Sequence, residues 1–183
     1  MRMQLRLPRR MRRFAGDTQG ATAIEFAIVL PLMLTLYLGG AELGQAISAS
    51  RKVGIVSRTV ADLASQYTAI SDANMTNLLN ASATVVAPFS SSPLKVTVSQ
   101  VKIAANGVAT VEWSETRGGT TRCGASPTVP PALKVPSTWL IWGEAEYSYA
   151  PTLGYVITGT LPLKQQMFMR PRLSNSVTRT LCP

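Results

Sequence analysis

The sequence contains no histidine and only two cysteines among its 183 residues. Without histidine, neither a Ser-His-Asp nor a Cys-His nucleophile pair can form, and no metal can be bound through imidazole. Two cysteines are too few for a structural zinc site or for a small fold held by several disulfides. We therefore expect a protein that is not an enzyme and that uses no metal and no cofactor.

Acidic residues are also scarce, since nine Asp and Glu oppose 18 Lys and Arg for a net charge of +9. Glu144 and Glu146 are the one pair of acids that stands out, and their spacing fits two solvent-facing positions of a strand. At 15% charged and 46% apolar residues, the chain is too apolar to be largely disordered. Whether the positive excess indicates a nucleic-acid ligand depends on where the basic residues lie.

The basic residues are concentrated at the N-terminus. Six arginines occur in the first 13 positions, and no acid precedes Asp17. The apolar stretch from Ala21 to Ala41 comes next, and it has the length of about 20 residues that crosses a bilayer. An arginine-rich start keeps the N-terminus in the cytoplasm and sends the C-terminal part of the chain across the membrane. This distribution predicts a single-pass protein in a lipid bilayer and no nucleic-acid partner.

Two residues distinguish the apolar stretch from a simple anchor. Glu25 is a carboxylate, which costs about 2.5 kcal/mol or more at the bilayer centre. Pro31 lies in mid-helix, where it removes a backbone hydrogen bond and favours a kink. Taken singly, Glu25 can snorkel to the headgroups and a proline is tolerated in membrane helices. Their combination with the residues around them is more informative.

The order of these residues resembles a processing site. Gly20 is followed by four residues, then by Glu25, Phe26 and an apolar run. This order is similar to the prepilin-peptidase site of Flp-type pilins and pseudopilins, and residues 13–44 resemble the N-terminal signature of the TadE-like family. The strand-like segment 144–151, which closes on Ala-Pro, and the Met-Arg-Pro-Arg sequence at 169–172 also resemble that family.

The resemblance implies a minor pilin or pseudopilin of a tight-adherence (Flp) pilus. A prepilin peptidase would cut after Gly20, so that Ala21 becomes the first residue and Glu25 the fifth. Glu25 would then pair with the terminal ammonium of a neighbouring subunit, because an unpaired charge in an apolar bundle costs several kcal/mol. Glu25, Phe26 and Pro31 are accordingly the expected assembly residues.

The same resemblance implies the partners and the location. The expected partners are the prepilin peptidase, other Flp pilins and pseudopilins, and the inner-membrane assembly platform. The expected location is the bacterial inner membrane, with a cytoplasmic N-terminus, a periplasmic head and incorporation into a surface pilus. The expected roles are pilus assembly and adhesion.

Other interpretations of the N-terminal segment remain open. A secretory signal peptide has a shorter apolar core and does not carry a residue like Glu25. A twin-arginine signal fits Arg12-Arg13-Phe14 but not the residues around it. The main alternative is an uncleaved single-pass anchor, which would make the protein a membrane-anchored periplasmic scaffold or binding protein. The mature N-terminal residue distinguishes these hypotheses.

Beyond the bilayer, the periodicity predicts a helix followed by a sheet. Apolar residues recur at steps of three and four from Ala46 to Tyr67, so the membrane helix should continue as an amphipathic helix. A short helix is predicted over 73–81, with its N-cap at Ser71-Asp72. The fold class is α+β and pilin-like: a long N-terminal helix packed on an antiparallel sheet of about four strands. The predicted parts are a basic leader over 1–20, a transmembrane helix over 21–44 and a head over 45–183.

Alternation of apolar residues predicts the strands of the head. A bulge is expected near Ser99-Gln100, and Asn106-Gly107 indicates a two-residue hairpin turn. The loop 118–137, rich in Gly and Pro, is expected to be exposed. Pro171 should end the last strand, and Arg170 and Arg172 are expected to be solvated there rather than bound to an acidic partner. The predicted strands are 94–103, 109–114, 139–149 and 160–169, with odd-numbered positions facing inward in the last two.

Cys123 and Cys182 both fall on the translocated side of the predicted membrane span. An oxidising periplasm allows disulfides to persist, and the even count favours one intramolecular bridge. Two free thiols, or thiols paired between molecules, are the alternative.

Overall fold

A computed structural model describes residues 18–151, 154, 158–180 and 182. The four strands form one sheet in the order β2-β1-β3-β4, in which every neighbouring pair is antiparallel. The predicted α+β arrangement is thereby confirmed, whereas residues 1–17 of the predicted leader lie outside the described residues. The elements are α1 (Thr18–Ser65), α2 (Asp72–Thr84), β1 (Leu94–Ile103), β2 (Ala109–Arg117), a 3-10 turn (Pro131–Leu133), β3 (Thr138–Tyr149) and β4 (Leu161–Met169).

Helix α1 is a single helix of 48 residues, which continues without a break through Pro31. At 1.5 Å per residue it is about 72 Å long. Its C-terminal half packs on the sheet through a stripe with the predicted spacing, whereas Ile47 and Ile55 on the other side are about half exposed. The buried stripe consists of Ala46, Ala49, Val53, Val56 and Val60.

Short-range signals form as the sequence predicts. Ser71 is the N-cap of α2, and its hydroxyl accepts a hydrogen bond from the Asn74 N–H at 3.3 Å. The Asn106-Gly107 turn joins β1 to β2, with the Val108 N–H donating to the Asn106 side-chain oxygen at 3.0 Å. These contacts join residues that are close in sequence, and for that reason the local order of residues is enough to predict them.

The apolar residues of β1 are divided between the two faces of the sheet because the strand itself is regular. The register of β1 and β2 shifts between Gln100 and Val101, but the extra residue is Glu112 of β2, and the pairing of β1 with β3 has no shift. The bulge predicted in β1 therefore lies in the neighbouring strand. Val96 and Val98 belong to the core formed with α1, whereas Val101 belongs to a second core on the opposite face.

The sequence did not predict this second core. It indicated that only the odd-numbered positions of β3 face inward and that the loop 118–137 is exposed. Odd positions of β3 such as Ile141 do face α1, but Leu140 and Trp142 are buried as well, on the other face. Val129 of the loop packs over them and is 6% exposed, although most of the loop is exposed as predicted. The consecutive apolar residues 139–142 are typical of a strand covered on both sides.

Helix α1 comes closest to the sheet at Gly143, in the middle of β3. A Cβ atom at this position would lie 2.4 Å from the Ser57 carbonyl oxygen, 2.8 Å from Val60 Cγ1 and 3.0 Å from Ala61 Cβ. A backbone carbonyl cannot rotate away as a flexible side chain can. The close approach of helix and strand therefore requires glycine at a position where its lack of a side chain otherwise weakens a strand.

We predict that Gly143→Ala destabilises the head by about 3 kcal/mol, because the added methyl group forces α1 away from the sheet. Gly54→Ala is the matched control, since a Cβ there meets nothing closer than Gln165 Cγ at 3.9 Å. Thermal unfolding of the full-length protein in detergent, followed by circular dichroism, measures both variants. Equal stability of Gly143→Ala and the unmodified protein would contradict the packing described.

Candidate functional site

The N-terminal half of α1 leaves the head with its apolar side chains exposed. Phe26 is 61% exposed, Leu36 69% and Tyr37 74%. This part of α1 has a mean hydropathy of 1.8 and is long and apolar enough to cross a membrane. No other helix in the described residues has both properties. A continuous apolar surface of this size marks contact with a membrane or with other protein.

The predicted processing and assembly residues all lie on this free part of α1. Gly20 is exposed in the first turn, and no atom beyond the adjacent helix backbone lies within 4 Å of where its Cβ would be. Ala21 is next in the helix, but its side chain lies outside the described part. Glu25, Phe26 and Pro31 are exposed as well. Gly20 and Pro31 are eleven helical steps apart, which is about 16 Å along the axis, so all of these positions lie within one short part of the free helix.

Pro31 weakens one turn of the free helix. Because proline has no N–H, the Ala27 carbonyl loses its intrahelical donor. The Thr35 hydroxyl donates to the Pro31 carbonyl oxygen at 2.8 Å. Helical geometry is retained on both sides, so the proline costs a hydrogen bond without ending the helix.

Glu42 marks the point at which α1 enters the head. Its side chain is 2% exposed, in contrast to the exposed Glu25. The steps from Glu42 to Ala46 and on to Ala49 are four and three, so the carboxylate lies on the same face as the buried stripe. We did not predict Glu42 as a site residue, although extending the stripe backwards by one step would have found it.

Together, a free apolar helix and a packed head are typical of a membrane-anchored protein. Residues 20–62, which lie wholly within α1, match the model of the family described as TadE-like protein. The predicted TadE-like resemblance is confirmed over this segment. No curated protein and no solved structure matches the chain.

Glu144 and Glu146 lie on the sheet face away from α1, but neither is simply solvated as the sequence suggested. The Arg122 guanidinium donates from Nε and Nη2 to the two Glu144 oxygens, at 2.8 and 2.9 Å. This hydrogen bonding raises the pKa of Arg122 against the opposing effect of burial. Lys164 Nζ lies 3.4 Å from Glu146. Arg122 belongs to the loop 118–137, so the ion pair fixes part of that loop on the sheet.

The segment after β4 also differs from the prediction. Strand β4 ends at Met169, before Pro171 as predicted. Arg172, however, is not a solvated strand end: its guanidinium pairs with Asp62 of α1, and its backbone N–H donates to the Ser65 carbonyl at 2.9 Å. An acidic partner therefore exists for Arg172, but it lies within the same chain, 110 residues away.

The described part of the tail, residues 173–180 and 182, is anchored by buried groups. Val177 is fully buried, its N–H donates to the Gln100 side-chain oxygen at 2.6 Å, and its carbonyl accepts from Trp113 Nε1 at 2.9 Å. The Arg179 side chain is 6% exposed and pairs with both Asp72 and Glu115. The tail is thereby attached to β1, to β2 and to α2.

A disulfide joins Cys123 of the loop to Cys182 of the tail, with 5.5 Å between their Cα atoms. The bridge closes a segment of 59 residues and lies beside the second core. The Cys182 N–H also donates to the Glu112 carbonyl at 2.7 Å. The disulfide therefore connects two segments that already contact the same part of the sheet.

We predict that the double variant Cys123→Ser, Cys182→Ser lowers the free energy of unfolding by up to about 4 kcal/mol, the chain-entropy value for a loop of this length. The fold should persist, because the contacts of Val177 and Arg179 remain. Thermal unfolding of the full-length protein measures the loss, and the unmodified protein in reductant is the control. Equal thiol labelling with and without prior reduction would show that the bridge does not form.

Proposed function

We propose that this protein is a minor pilin or pseudopilin of a tight-adherence (Flp) pilus, which acts in pilus assembly and adhesion. The observation that carries the proposal is the position of Glu25. It is the one acid between residues 18 and 41, it lies on the exposed apolar helix, and it comes five residues after Gly20 within the segment that matches the family. A membrane anchor alone has no use for a carboxylate at this position.

The charge distribution supports insertion into the inner membrane with the N-terminus in the cytoplasm. Six arginines precede the apolar helix, and positive charge of this kind is retained on the cytoplasmic side. The head, with its disulfide, would then lie in the periplasm, where such a bond persists. The partners we propose are the prepilin peptidase, other Flp pilins and pseudopilins, and the inner-membrane assembly platform.

We propose that the peptidase cuts the bond between Gly20 and Ala21. Because α1 begins at Thr18, this bond lies in the first helical turn, which must open for cleavage. First turns fray readily, and glycine loses the most conformational freedom in a helix, so opening is easiest here. The exposure of Gly20 also leaves its backbone accessible to the peptidase.

Cleavage creates the partner that Glu25 needs. The new ammonium on Ala21 lies one helical turn from Glu25, so the two charges can shield each other within one subunit. In a bundle of helices the ammonium of a neighbouring subunit can take over this role. The exchange would set the axial register between subunits, because leaving either charge unpaired among apolar side chains costs several kcal/mol.

We further propose that the protein has no catalytic activity. The absence of histidine from the sequence supports this view. The acids Glu144 and Glu146, the one pair that suggested a shared site, each contact a cation instead.

We predict that the membrane-extracted protein begins at Ala21 and that Gly20→Val retains residues 1–20, because the added side chain obstructs the peptidase. Mass spectrometry of the intact protein measures the N-terminus. Gly16→Val, a change four residues upstream, is the control and should be processed normally. An unmodified protein that still carries residues 1–20 would refute processing and favour the uncleaved membrane-anchored scaffold or binding protein.

We predict that Glu25→Ala abolishes incorporation into pili but leaves membrane insertion intact, because the span becomes more apolar and loses its pairing group. Incorporation is measured by immunoblotting sheared pili, and insertion by membrane fractionation. Leu36→Ala, a change on the exposed surface of the same helix, is the control and should assemble. Normal incorporation of Glu25→Ala would contradict the proposed role.

A further inference from the structure

A polar groove lies on the sheet face away from α1, next to the part that the second core covers. Its volume is about 460 Å³, and it is bounded by the segment 119–122 and by strands β1, β3 and β4. The assembly residues of α1 and the membrane span do not line it. It is therefore a feature of the head that the helix-based function does not use.

The wall of this groove is held close to the sheet. A Cβ on Gly119 would lie 2.9 Å from Thr116 Oγ1 and 3.6 Å from Lys95 Cβ, so the segment 119–122 sits directly on β1 and β2. The bidentate pair of Arg122 with Glu144 anchors the same segment to β3. Because both contacts are short, the groove is formed before any ligand arrives.

The charges lining the groove are paired except for one. Arg122 pairs with Glu144, and Lys164 pairs with Glu146. Lys95 is exposed and forms no ion pair with the described residues, although it stands opposite Glu146 in the register of β1 and β3. The three cations and two acids leave a net charge of +1. One carboxylate on a ligand would balance this charge, whereas a polyanion would meet two glutamates.

The remaining polar groups of the groove favour hydroxyl groups on the ligand. Trp142 Nε1 donates to the Gln166 side-chain oxygen at 3.0 Å, which leaves the Gln166 amide N–H groups to donate outwards. Glu146 accepts hydrogen bonds, and the Thr120 hydroxyl can do either. A hydroxyl both donates and accepts, so a polyhydroxylated ligand satisfies acceptors and donors that are interspersed in this way.

An aromatic pair of the second core lies beside the groove. The ring of Phe168 stacks on Trp142 with 5.7 Å between centroids, and the Arg122 guanidinium lies 5.9 Å from the Trp142 centroid. Neither ring lines the groove, but Trp142 contacts two side chains that do, Arg122 and Gln166. The aromatic pair therefore helps to hold these two polar groups in place.

We infer that this groove binds a saccharide that carries one carboxylate on a sugar ring, with Lys95 as the partner of that carboxylate. This inference extends the adhesive part of the proposed function and rests on that function for its biological use. The binding itself requires neither cleavage after Gly20 nor assembly through Glu25. A binding assay on the purified protein therefore distinguishes failure of the saccharide site from failure of the pilin proposal.

Isothermal titration calorimetry of the full-length protein in detergent micelles tests the inference with 3′-sialyllactose, a trisaccharide with a single ring carboxylate, as the probe. We expect saturable binding, and Lys95→Gln should weaken it about tenfold or more, which is the effect of losing a hydrogen bond to a charged group. The neutral trisaccharide 3′-galactosyllactose should bind more weakly than 3′-sialyllactose to a similar extent. Lys134→Gln, a change at an exposed lysine outside the groove, is the control and should bind as the unmodified protein does.

Several results would overturn the inference. These are the absence of binding at millimolar 3′-sialyllactose, equal binding by Lys95→Gln, and equal binding of 3′-galactosyllactose. Triglutamate that binds as tightly as 3′-sialyllactose would instead identify a surface for acidic peptides. Lys95→Arg should retain binding, so a loss there with an unchanged unfolding temperature would also count against the assigned role of Lys95.

Discussion

The close approach of α1 to Gly143 is the contact on which the rest of the architecture depends. A helix backbone and a strand backbone meet there without an intervening side chain, so the head half of α1 cannot rotate or slide without a clash. Because α1 is one continuous helix, its apolar half is joined to the head half without a loop. The orientation of the head relative to a membrane or a bundle is therefore set by packing within the head and not by a flexible linker.

Placing the single long helix on one face of the sheet leaves the other face to be covered by irregular segments. The loop that carries Val129 covers part of it, Cys182 at the end of the tail packs against the same core, and the disulfide joins the two segments. Ordering a loop costs conformational entropy, and a loop buries few apolar residues that would offset this cost. Covalent and ionic links take the place of a larger apolar contact, and the uncovered remainder of this face is the polar groove.

The sequence predicts the parts of the fold that depend on local periodicity. The stripe of α1, the N-cap at Ser71 and the turn at Asn106-Gly107 all involve residues within a few positions of each other. The requirement for glycine at position 143 depends on Ser57 and its neighbours, which are distant in sequence, so periodicity carries no sign of it. The burial of Leu140 and Trp142 was partly readable from the run of apolar residues, but which segment covers them was not.

The residues of the candidate site also fall into those that the sequence predicts and those that it does not. Gly20, Glu25 and Pro31 could be singled out because a motif and an apolar run can be read from consecutive residues. The groove could not be predicted, since the segment around Arg122 reaches β3 and β4 only through tertiary contacts. The role of Arg172 was missed for the same reason. Long-range ion pairs have no spacing rule, and opposite charges far apart in sequence give no indication that they meet.

The positive excess of the chain has a different meaning once the acids are located. Residues 1–20 hold six basic residues and one acid, so the remaining 163 residues hold 12 basic and 8 acidic residues, a net charge of +4. All six acids beyond Glu42 contact a cation of the head. Acids of the head thus hold loop, tail and strands together, and unpaired cations make up the surplus.

Three basic residues, Arg51, Lys52 and Arg58, lie shortly after the span on α1, against six before it. This asymmetry supports a cytoplasmic N-terminus, because the side with more positive charge near the span is retained.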